Sequence, residues 1–318
     1  MLKYRHYLVT GGAGFIGSHL VEKLVGLGCR VRVLDDFSTG REENLSSLVG
    51  RVEVIRGDIR DGDLCGQAAE GMEVIMHLAA LASVPRSVTE PLLAHEINLT
   101  GTLNLLLAAA EKGIRSFVFA SSSAVYGDDQ TFPKKEGLEG KALSPYGAQK
   151  LAAEKYIQVF SQIHNFNAVS LRYFNVFGPR QDPGSQYAAV VPIFINRMLK
   201  GQPPVIYGDG QQSRDFIYVE NVVRANLLAA NSEHFRGEVF NIGAASRITI
   251  NELVRILNSL LGVSLSPVYA APRPGDILQS YADITRAERQ LGFKPEVDFE
   301  TGLKLTIDWY RSRLRNDS

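Results

Sequence analysis

His6-Tyr7-Leu8-Val9-Thr10-Gly11-Gly12-Ala13-Gly14-Phe15-Ile16-Gly17 is the stretch on which the fold turns. Its first five residues form a short apolar run of strand length. Gly12, Gly14 and Gly17 follow in a G-x-G-x-x-G spacing, and Gly11, Gly14 and Gly17 satisfy the wider G-x-x-G-x-x-G. Phe15, Ile16, Leu20 and Leu24 then recur at helical intervals. The glycines let the chain turn sharply and let a pyrophosphate approach the helix N-terminus, where N–H groups and the helix dipole favour an anion. Val31-Arg32-Val33-Leu34 reads as a second strand ending in Asp35 and Asp36, with Asp35 18 residues after Gly17. That separation suits an acid that bonds a ribose diol. Glycines alone mark turns in many α/β proteins; framed by strand, helix, second strand and acid they point to a dinucleotide. A carboxylate at this strand end accepts the 2′-hydroxyl of NAD and repels the 2′-phosphate of NADP. Arg41 is the nearest cation that would relax that choice.

Outward from this unit the alternation continues. Strand patterns at 6–10, 30–34, 52–55, 73–77, 116–120 and 168–172 are separated by helical patterns at 15–27, 41–48, 61–69, 90–112 and 145–163. They predict an α/β fold, a doubly wound parallel sheet covered on both faces. Ligands of such sheets lie beyond the carboxyl ends of the strands. The residues at those ends include Asp58, Ala79 and Ala80 after His77, the serines at 121–123, and Tyr173 to Asn175. His77 is expected to face the crevice. After residue 175 turn-rich segments join helices near 190–200, 219–231, 250–261, 284–291 and 299–314. The expected division is a dinucleotide-binding domain over 1–174, with 216–243 returning to it, and a smaller mixed substrate domain over 175–318. Arg214 and Arg273 could each clamp a diphosphate, or equally serve as a structural ion-pair partner.

Ser144-Pro145-Tyr146-Gly147-Ala148-Gln149-Lys150 carries the chemistry. Serine suits a helix cap and proline the first helical position. Residues at i and i+4 share a helix face, so the Tyr146 phenol and the Lys150 ammonium can lie close. A fixed cation favours the phenolate, and such a tyrosine can take and return a hydroxyl proton. A tyrosine–lysine pair at this spacing also arises by chance on solvated helices, so its weight comes from the glycine loop upstream.

Composition limits the alternatives. The 318 residues carry 34 basic and 34 acidic side chains and no long run of either sign, which gives no support for nucleic-acid or membrane-surface binding. Cys29 and Cys65 make no disulfide framework and read as small buried hydrophobes. The six histidines have no ligand spacing, so no metal is expected. With no signal-like N-terminus and no apolar run of bilayer length, the expectation is a soluble cytoplasmic protein without membrane association.

Read together, the glycine loop, the serine run and Tyr146 with Lys150 resemble the extended short-chain dehydrogenase/reductases. Within them the chain looks most like the NAD-dependent nucleotide-sugar epimerases, nearest to those acting on UDP-N-acetylglucosamine. The likeness runs through Thr10–Gly17, Gly57-Asp58-Ile59, His77-Leu78-Ala79-Ala80, Ser121–Gly127, Ser144–Lys150, Leu171–Pro179, Gly208–Val219 and Arg273–Asp276. It implies Tyr146 as acid/base, Lys150 as the residue that bonds the nicotinamide ribose, and Ser122 as the hydroxyl on the sugar O4, a role open by position to Ser123 as well. It counts Gly11, Gly14, Phe15, Ile16, Gly17, Asp35, Asp36, Ser38, Thr39 and Gly40 as cofactor contacts. Asp58 and Ile59 resemble adenine contacts, and Leu78, Ala79, Ala80, Asn98 and Tyr173 line the cofactor. Asn175, Ala189, Val190, Arg214, Arg273, Asp276 and Ser280 stand where the substrate is held; Ser121 reads as a polar strand cap.

Two departures narrow the implied chemistry. Nucleotide-sugar 4,6-dehydratases carry an Asp-Glu pair where this chain has Ser123 and Ala124, and UDP-glucuronate decarboxylases keep a Glu at the latter. The small Ser280 stands where glucose-restricted epimerases can carry a bulky tyrosine, which leaves room for an N-acetyl group. The resemblance thus implies a UDP-hexose 4-epimerase for UDP-GlcNAc/UDP-GalNAc, with UDP-Glc/UDP-Gal as further substrates. UDP-glucuronate 4-epimerase stays open because Arg86 could meet a carboxylate, as does a catalytically inactive NAD-binding protein. In the family the helices at 90–112 and 145–163 pair with their copies in a four-helix bundle. Leu103, Leu106, Leu107, Ala152, Tyr156, Val159 and Phe160 are apolar on these helices, so a homodimer is expected.

Overall fold

Strands β1 (His6–Thr10), β2 (Arg30–Asp35), β3 (Glu53–Arg56), β4 (Val74–His77), β5 (Ser116–Ser122) and β6 (Asn167–Tyr173) are short apolar runs. Past them come β7 (Asn175–Phe177), β8 (Val205–Tyr207), β9 (Ser213–Arg214), β10 (Phe216–Tyr218), β11 (Arg236–Ile242), β12 (Ile248–Thr249), β13 (Val268–Ala270) and β14 (Gln279–Ser280). The computed structural model describes residues 2–138, 142–184, 189–272 and 278–316. Seven strands form one parallel sheet in the order β3-β2-β1-β4-β5-β6-β11. The order reverses between β1 and β4, so the loops after these strands part and leave a crevice at the carboxyl edge. This is the doubly wound parallel fold the sequence predicts. Smaller pairings lie outside the sheet: β7 with β10, β8 with β13, and β12-β9-β14, where β12 runs antiparallel.

Alternation along each strand sorts the core into two faces. Val9, Val33, Met76, Val118 and Val169 pack on one face. Leu8, Leu34, Ile75, Phe117 and Phe119 pack on the other, with Cys65 and Ala153. The covering helices are α1 (Phe15–Gly26), α2 (Gly62–Ala69), α3 (Val84–Thr89), α4 (Pro91–His95), α5 (Gly101–Glu111) and α6 (Pro145–His164), followed by α7 (Val190–Leu199), α8 (Val219–Ala230), α9 (Ile250–Leu261) and α10 (Phe299–Asn316). A third core joins Phe177, Phe194, Phe216, Leu253 and Leu303 beneath the smaller pairings.

Three local departures from the sequence reading have clear causes. The pattern at 41–48 is a 3-10 turn over Glu42–Leu48. The pattern at 90–112 is interrupted: α4 passes into a π turn, Glu96–Thr100, before α5, and that wide turn carries Asn98 into the interior. Helix α3 was not predicted; it is one and a half turns of mixed residues, and Ser83 caps it by accepting from the Arg86 N–H at 3.2 Å.

The glycine turn is held by close backbone approaches. Gly11 has φ +68°, and a Cβ there would lie 2.7 Å from the Ala79 nitrogen. A Cβ on Gly17 would lie 2.1 Å from the Gly11 carbonyl oxygen, which no rotamer relieves because the contact is backbone on backbone. Gly17→Ala should therefore push α1 away from the turn, costing about 1–3 kcal/mol by overpacking. The checks are thermal melting and retained NAD after gel filtration; a variant that keeps wild-type stability and NAD content contradicts the close approach.

Candidate active site

The crevice is built from strand ends. α1 begins at Gly14 with no side-chain cap, so its first turn offers N–H groups to a ligand. Phe15, Ile16 and Gly17 form that turn. Asp35 closes the neighbouring side: its carboxylate accepts from the Ala13 N–H at 2.8 Å and the Phe37 N–H at 2.9 Å. Gly40 lies against it, where a Cβ would sit 2.7 Å from Asp35 Oδ1. Burial raises the Asp35 pKa, against the pull of those two amides. Asp36 is exposed and holds Ser38 through that residue's N–H and hydroxyl, at 2.9 and 2.7 Å; Thr39 is exposed in the same loop. Arg41, the cation that would welcome a 2′-phosphate, ion-pairs with Asp182 at 2.9 Å and Glu43 at 3.4 Å. A cradle that a Cβ would fill, an uncapped helix start and a carboxylate at the ribose side fit NAD.

The other cofactor candidates occupy the same edge in different ways. Asp58 is gripped by Arg60 at 2.7–2.9 Å; burial acts to raise its pKa, but the hydrogen bonds from Arg60 prevail and hold it low. The Ile59 side chain is buried in the core. The backbone at Leu78 and Ala79 is fixed by Thr10, whose carbonyl accepts from the Leu78 N–H and whose hydroxyl accepts from the Ala79 N–H; Ala80 is the next residue of that loop. Asn98 is spent on the scaffold. Its Oδ1 accepts from the Leu81 N–H at 2.8 Å, and its Nδ2 donates to Gln149 Oε1 at 2.9 Å. The Tyr173 phenol is bonded to Asn226.

His77 does not face the crevice. Its ring is 1% exposed, with Nδ1 2.8 Å from Thr10 Oγ1 and Nε2 2.9 Å from Thr102 Oγ1. The Thr102 hydroxyl donates to the Asn98 carbonyl at 2.7 Å, so Nε2–H must donate to Thr102 and Nδ1 must accept from Thr10. Burial holds the ring far below its ordinary pKa, and the Lys150 charge lowers it further. This relay is not legible in sequence, because its members come from β1, β4 and α5.

Three consecutive residues of β5 hold three successive turns of α6. The Ala120 carbonyl accepts from Lys150 Nζ at 2.8 Å. The Ser121 hydroxyl donates to Glu154. The Ser122 hydroxyl faces the Tyr146 phenol and accepts from the Ala124 N–H at 3.1 Å, capping the turn Ser123–Tyr126. Ser123 thus opens a turn, while Ser122 faces the tyrosine. At the start of α6 Ser144 accepts from the Gly147 N–H, as its place before Pro145 predicts, and Ser87 Oγ accepts from the Tyr146 N–H, both at 3.1 Å. Burial raises the Tyr146 pKa. The expected lowering by Lys150 does not prevail: burial is the larger effect, and the ammonium, bonded to the Ala120 carbonyl, sits 5.8 Å from the phenol ring centroid.

A cavity of about 390 Å³ is lined by Asn175, Ala189, Val190 and Arg214 among others, including Tyr207 and Gln212; Ser122, Tyr146 and Lys150 do not line it. The first four are sequence candidates; Tyr207 was not anticipated, and Gln212 lies in the Gly208–Val219 motif without having been singled out. Ser280 pairs with Arg214 in the β9–β14 register. Arg273 and Asp276 lie outside the described residues. Among the described residues no three His, Cys, Asp or Glu side chains gather as a metal set, and no helix is long and apolar enough to cross a membrane.

Lys150 is 2% exposed, and burial pulls its pKa down to about 7, against the opposing charge of Glu154. An unfolded lysine keeps its proton to about pH 10.4. Between these values the unfolded chain binds the extra proton, so this group makes stability rise with pH. Denaturant unfolding of the ligand-free protein should show that rise from pH 7 to 10. Lys150→Met should flatten it; equal slopes in both proteins would contradict a Lys150 pKa lowered by burial.

Comparison with known proteins agrees with this geometry. The model of the NAD dependent epimerase/dehydratase family matches residues 7–243. A UDP-glucose 4-epimerase of Mycolicibacterium smegmatis is 39% identical over 310 residues, covering 96% of this chain and 98% of its own. A UDP-N-acetylglucosamine 4-epimerase from Methanobrevibacter ruminantium, solved with UDP-N-acetylmuramic acid, superposes with TM-score 0.94 at 43% identity over 98% of this chain and all of its own. A UDP-glucose 4-epimerase of Thermotoga maritima, solved with UDP-glucose, gives 0.91 at 42% identity over 97% and 99%. Fold, crevice and sequence together make this chain a member of the NAD-dependent epimerase/dehydratase family, with NAD as its cofactor.

Proposed function

We propose that the chain is a UDP-hexose 4-epimerase that interconverts UDP-GlcNAc and UDP-GalNAc and also accepts UDP-Glc and UDP-Gal. The observation that carries this reading is the Ser122 hydroxyl facing the Tyr146 phenol with Lys150 one turn along, followed by Ser123 and Ala124 where dehydration would need acids. NAD supplies a hydride acceptor that returns the hydride. Tyr146 takes the proton from the sugar O4 and gives it back, Ser122 bonds that oxygen, and Lys150 fixes the tyrosine's surroundings. Asn175, Ala189, Val190 and Arg214 hold the nucleotide sugar in the cavity, with Ser280 paired beside Arg214. The small Ser280 supports an N-acetylated substrate, and so does the likeness to an enzyme named for UDP-N-acetylglucosamine.

A uronic acid is less well served, since Arg86 is committed to Glu90 by two bonds of 3.0 Å. An inactive protein would not need Tyr146, Lys150 and Ser122 together. The test is an epimerisation assay offering UDP-GlcNAc, UDP-Glc and UDP-glucuronate. Turnover of UDP-GlcNAc is expected, and Tyr146→Phe should reduce it about 10²–10⁴-fold while NAD content stays. Wild-type turnover in that variant, or turnover of the uronic acid alone, would overturn the reading.

We also propose a homodimer through α5 and α6. Leu106 packs into the parent core, but Leu107, Tyr156, Val159 and Ile163 remain 43–69% exposed on these helices. Such a patch suits an isologous two-fold contact. Sedimentation at micromolar concentration should give a dimer for the wild type and a monomer for Val159→Arg; a wild-type monomer with full activity would refute the assembly.

A further inference from the structure

Tyr146, Lys150 and Glu154 stand at i, i+4 and i+8 on α6, so one inner face of the helix carries all three. Glu154 touches no part of the cavity, yet it is one of the most enclosed carboxylates in the molecule. Its side chain is 2% exposed and that of Arg172, from β6, is 0% exposed. Arg172 grips it at both oxygens, Nε to Oε1 at 2.9 Å and Nη2 to Oε2 at 2.6 Å. Ser121 donates its hydroxyl to Oε1 as well. Lys150 has only the Ala120 carbonyl as a hydrogen-bond acceptor among the described residues, and a carbonyl carries no countercharge. A buried cation without an opposing charge is unfavourable.

We propose that Glu154 is a positioning residue of the tyrosine–lysine centre: locked by Arg172 and Ser121, its carboxylate is the buried countercharge that keeps the Lys150 ammonium protonated beside Tyr146. The proposal rests on the epimerase reading for its kinetic consequence but not for its electrostatic one. The charged and titratable groups around the pair are few. Tyr146 lies on α6 itself, and His77 on β4 is influenced by Lys150. Arg172 faces Glu154 from β6, and Tyr126 and Glu136 lie on the far side of Arg172. His77 is held neutral and Tyr126 is held protonated by burial, which leaves Glu154 as the carboxylate that acts on Lys150.

Glu154→Gln keeps the shape and removes the charge. In the NAD-containing enzyme the alkaline limb of the kcat profile should move down by about one pH unit or more, with KM for UDP-GlcNAc unchanged. Glu154→Asp should restore part of that shift. A second readout needs no turnover: the Tyr146 ionisation, isolated as the near-ultraviolet difference between each protein and its own Tyr146→Phe form, should move to higher pH in Glu154→Gln. Ser121→Ala, a milder change that leaves the Arg172 grip, should produce a smaller shift in the same sense and covers the case in which Glu154→Gln does not fold. Loss of thermal stability with both pH profiles unmoved would overturn the proposal. A moved tyrosine step in a protein that epimerises no UDP-sugar would support it while sinking the epimerase reading.

Discussion

Helix α6 can rest on β5 only if the polar side chains on its inner face find partners other than water. An ammonium, a carboxylate and a phenol all enter the interior there, and desolvating each charge costs several kcal/mol before any contact is made. Apolar packing alone would therefore expel this face. The cost is met by the β5 backbone and two serines, and by Arg172 reaching across from β6. Removing one partner of such a buried pair typically costs about 3–5 kcal/mol, a large share of a domain's net stability. The geometry of the catalytic centre and the attachment of its helix are thus one problem with one solution.

Close approach imposes the second constraint. Gly147 allows the start of α6 to meet the Ala124 carbonyl, where a Cβ would stand 2.6 Å away. That contact sets Tyr146 against the strand end bearing Ser122. Gly11 and Gly17 do the same for the turn beneath the dinucleotide. In each case a missing side chain lets two backbones touch, and a catalytic or binding atom lies at the point of contact.

Much of this was legible in the chain. The strand–glycine–helix unit and its acid gave the crevice, because local periodicity and turn chemistry determine them. The Ser-Pro cap gave the start of α6, and the i,i+4 rule put Tyr146 and Lys150 on one face. What escaped depended on long-range pairing. His77 looked like a crevice residue because it ends a strand, and only Thr10 and Thr102 turn it inward. Glu154 was one of many charged helix residues until Arg172, 18 positions away in sequence, closed on it. Tyr207 reaches the cavity from β8, whose pairing with β13 is equally long-range, and Gln212 from the turn before β9.

Asp215 is a second buried carboxylate locked by hydrogen bonds, as Glu154 is. It is fully buried next to Arg214, and its carboxylate accepts from the Ala244 N–H at 2.7 Å and the Ala282 N–H at 3.0 Å. Its own carbonyl accepts from the Asn175 N–H at 3.0 Å. One residue therefore ties β7, the end of β11 and the segment after β14 to the strand that carries Arg214. Burial raises the carboxyl to about 6 in spite of those amides, so the junction is electrostatically costly as well as fixed. Arg214 is thus held by covalent and hydrogen-bonded paths to β7, the end of β11 and the segment after β14, and not by a free loop. On the epimerase reading proposed above, such a junction would keep the anchor rigid while the reacting ring is free to turn.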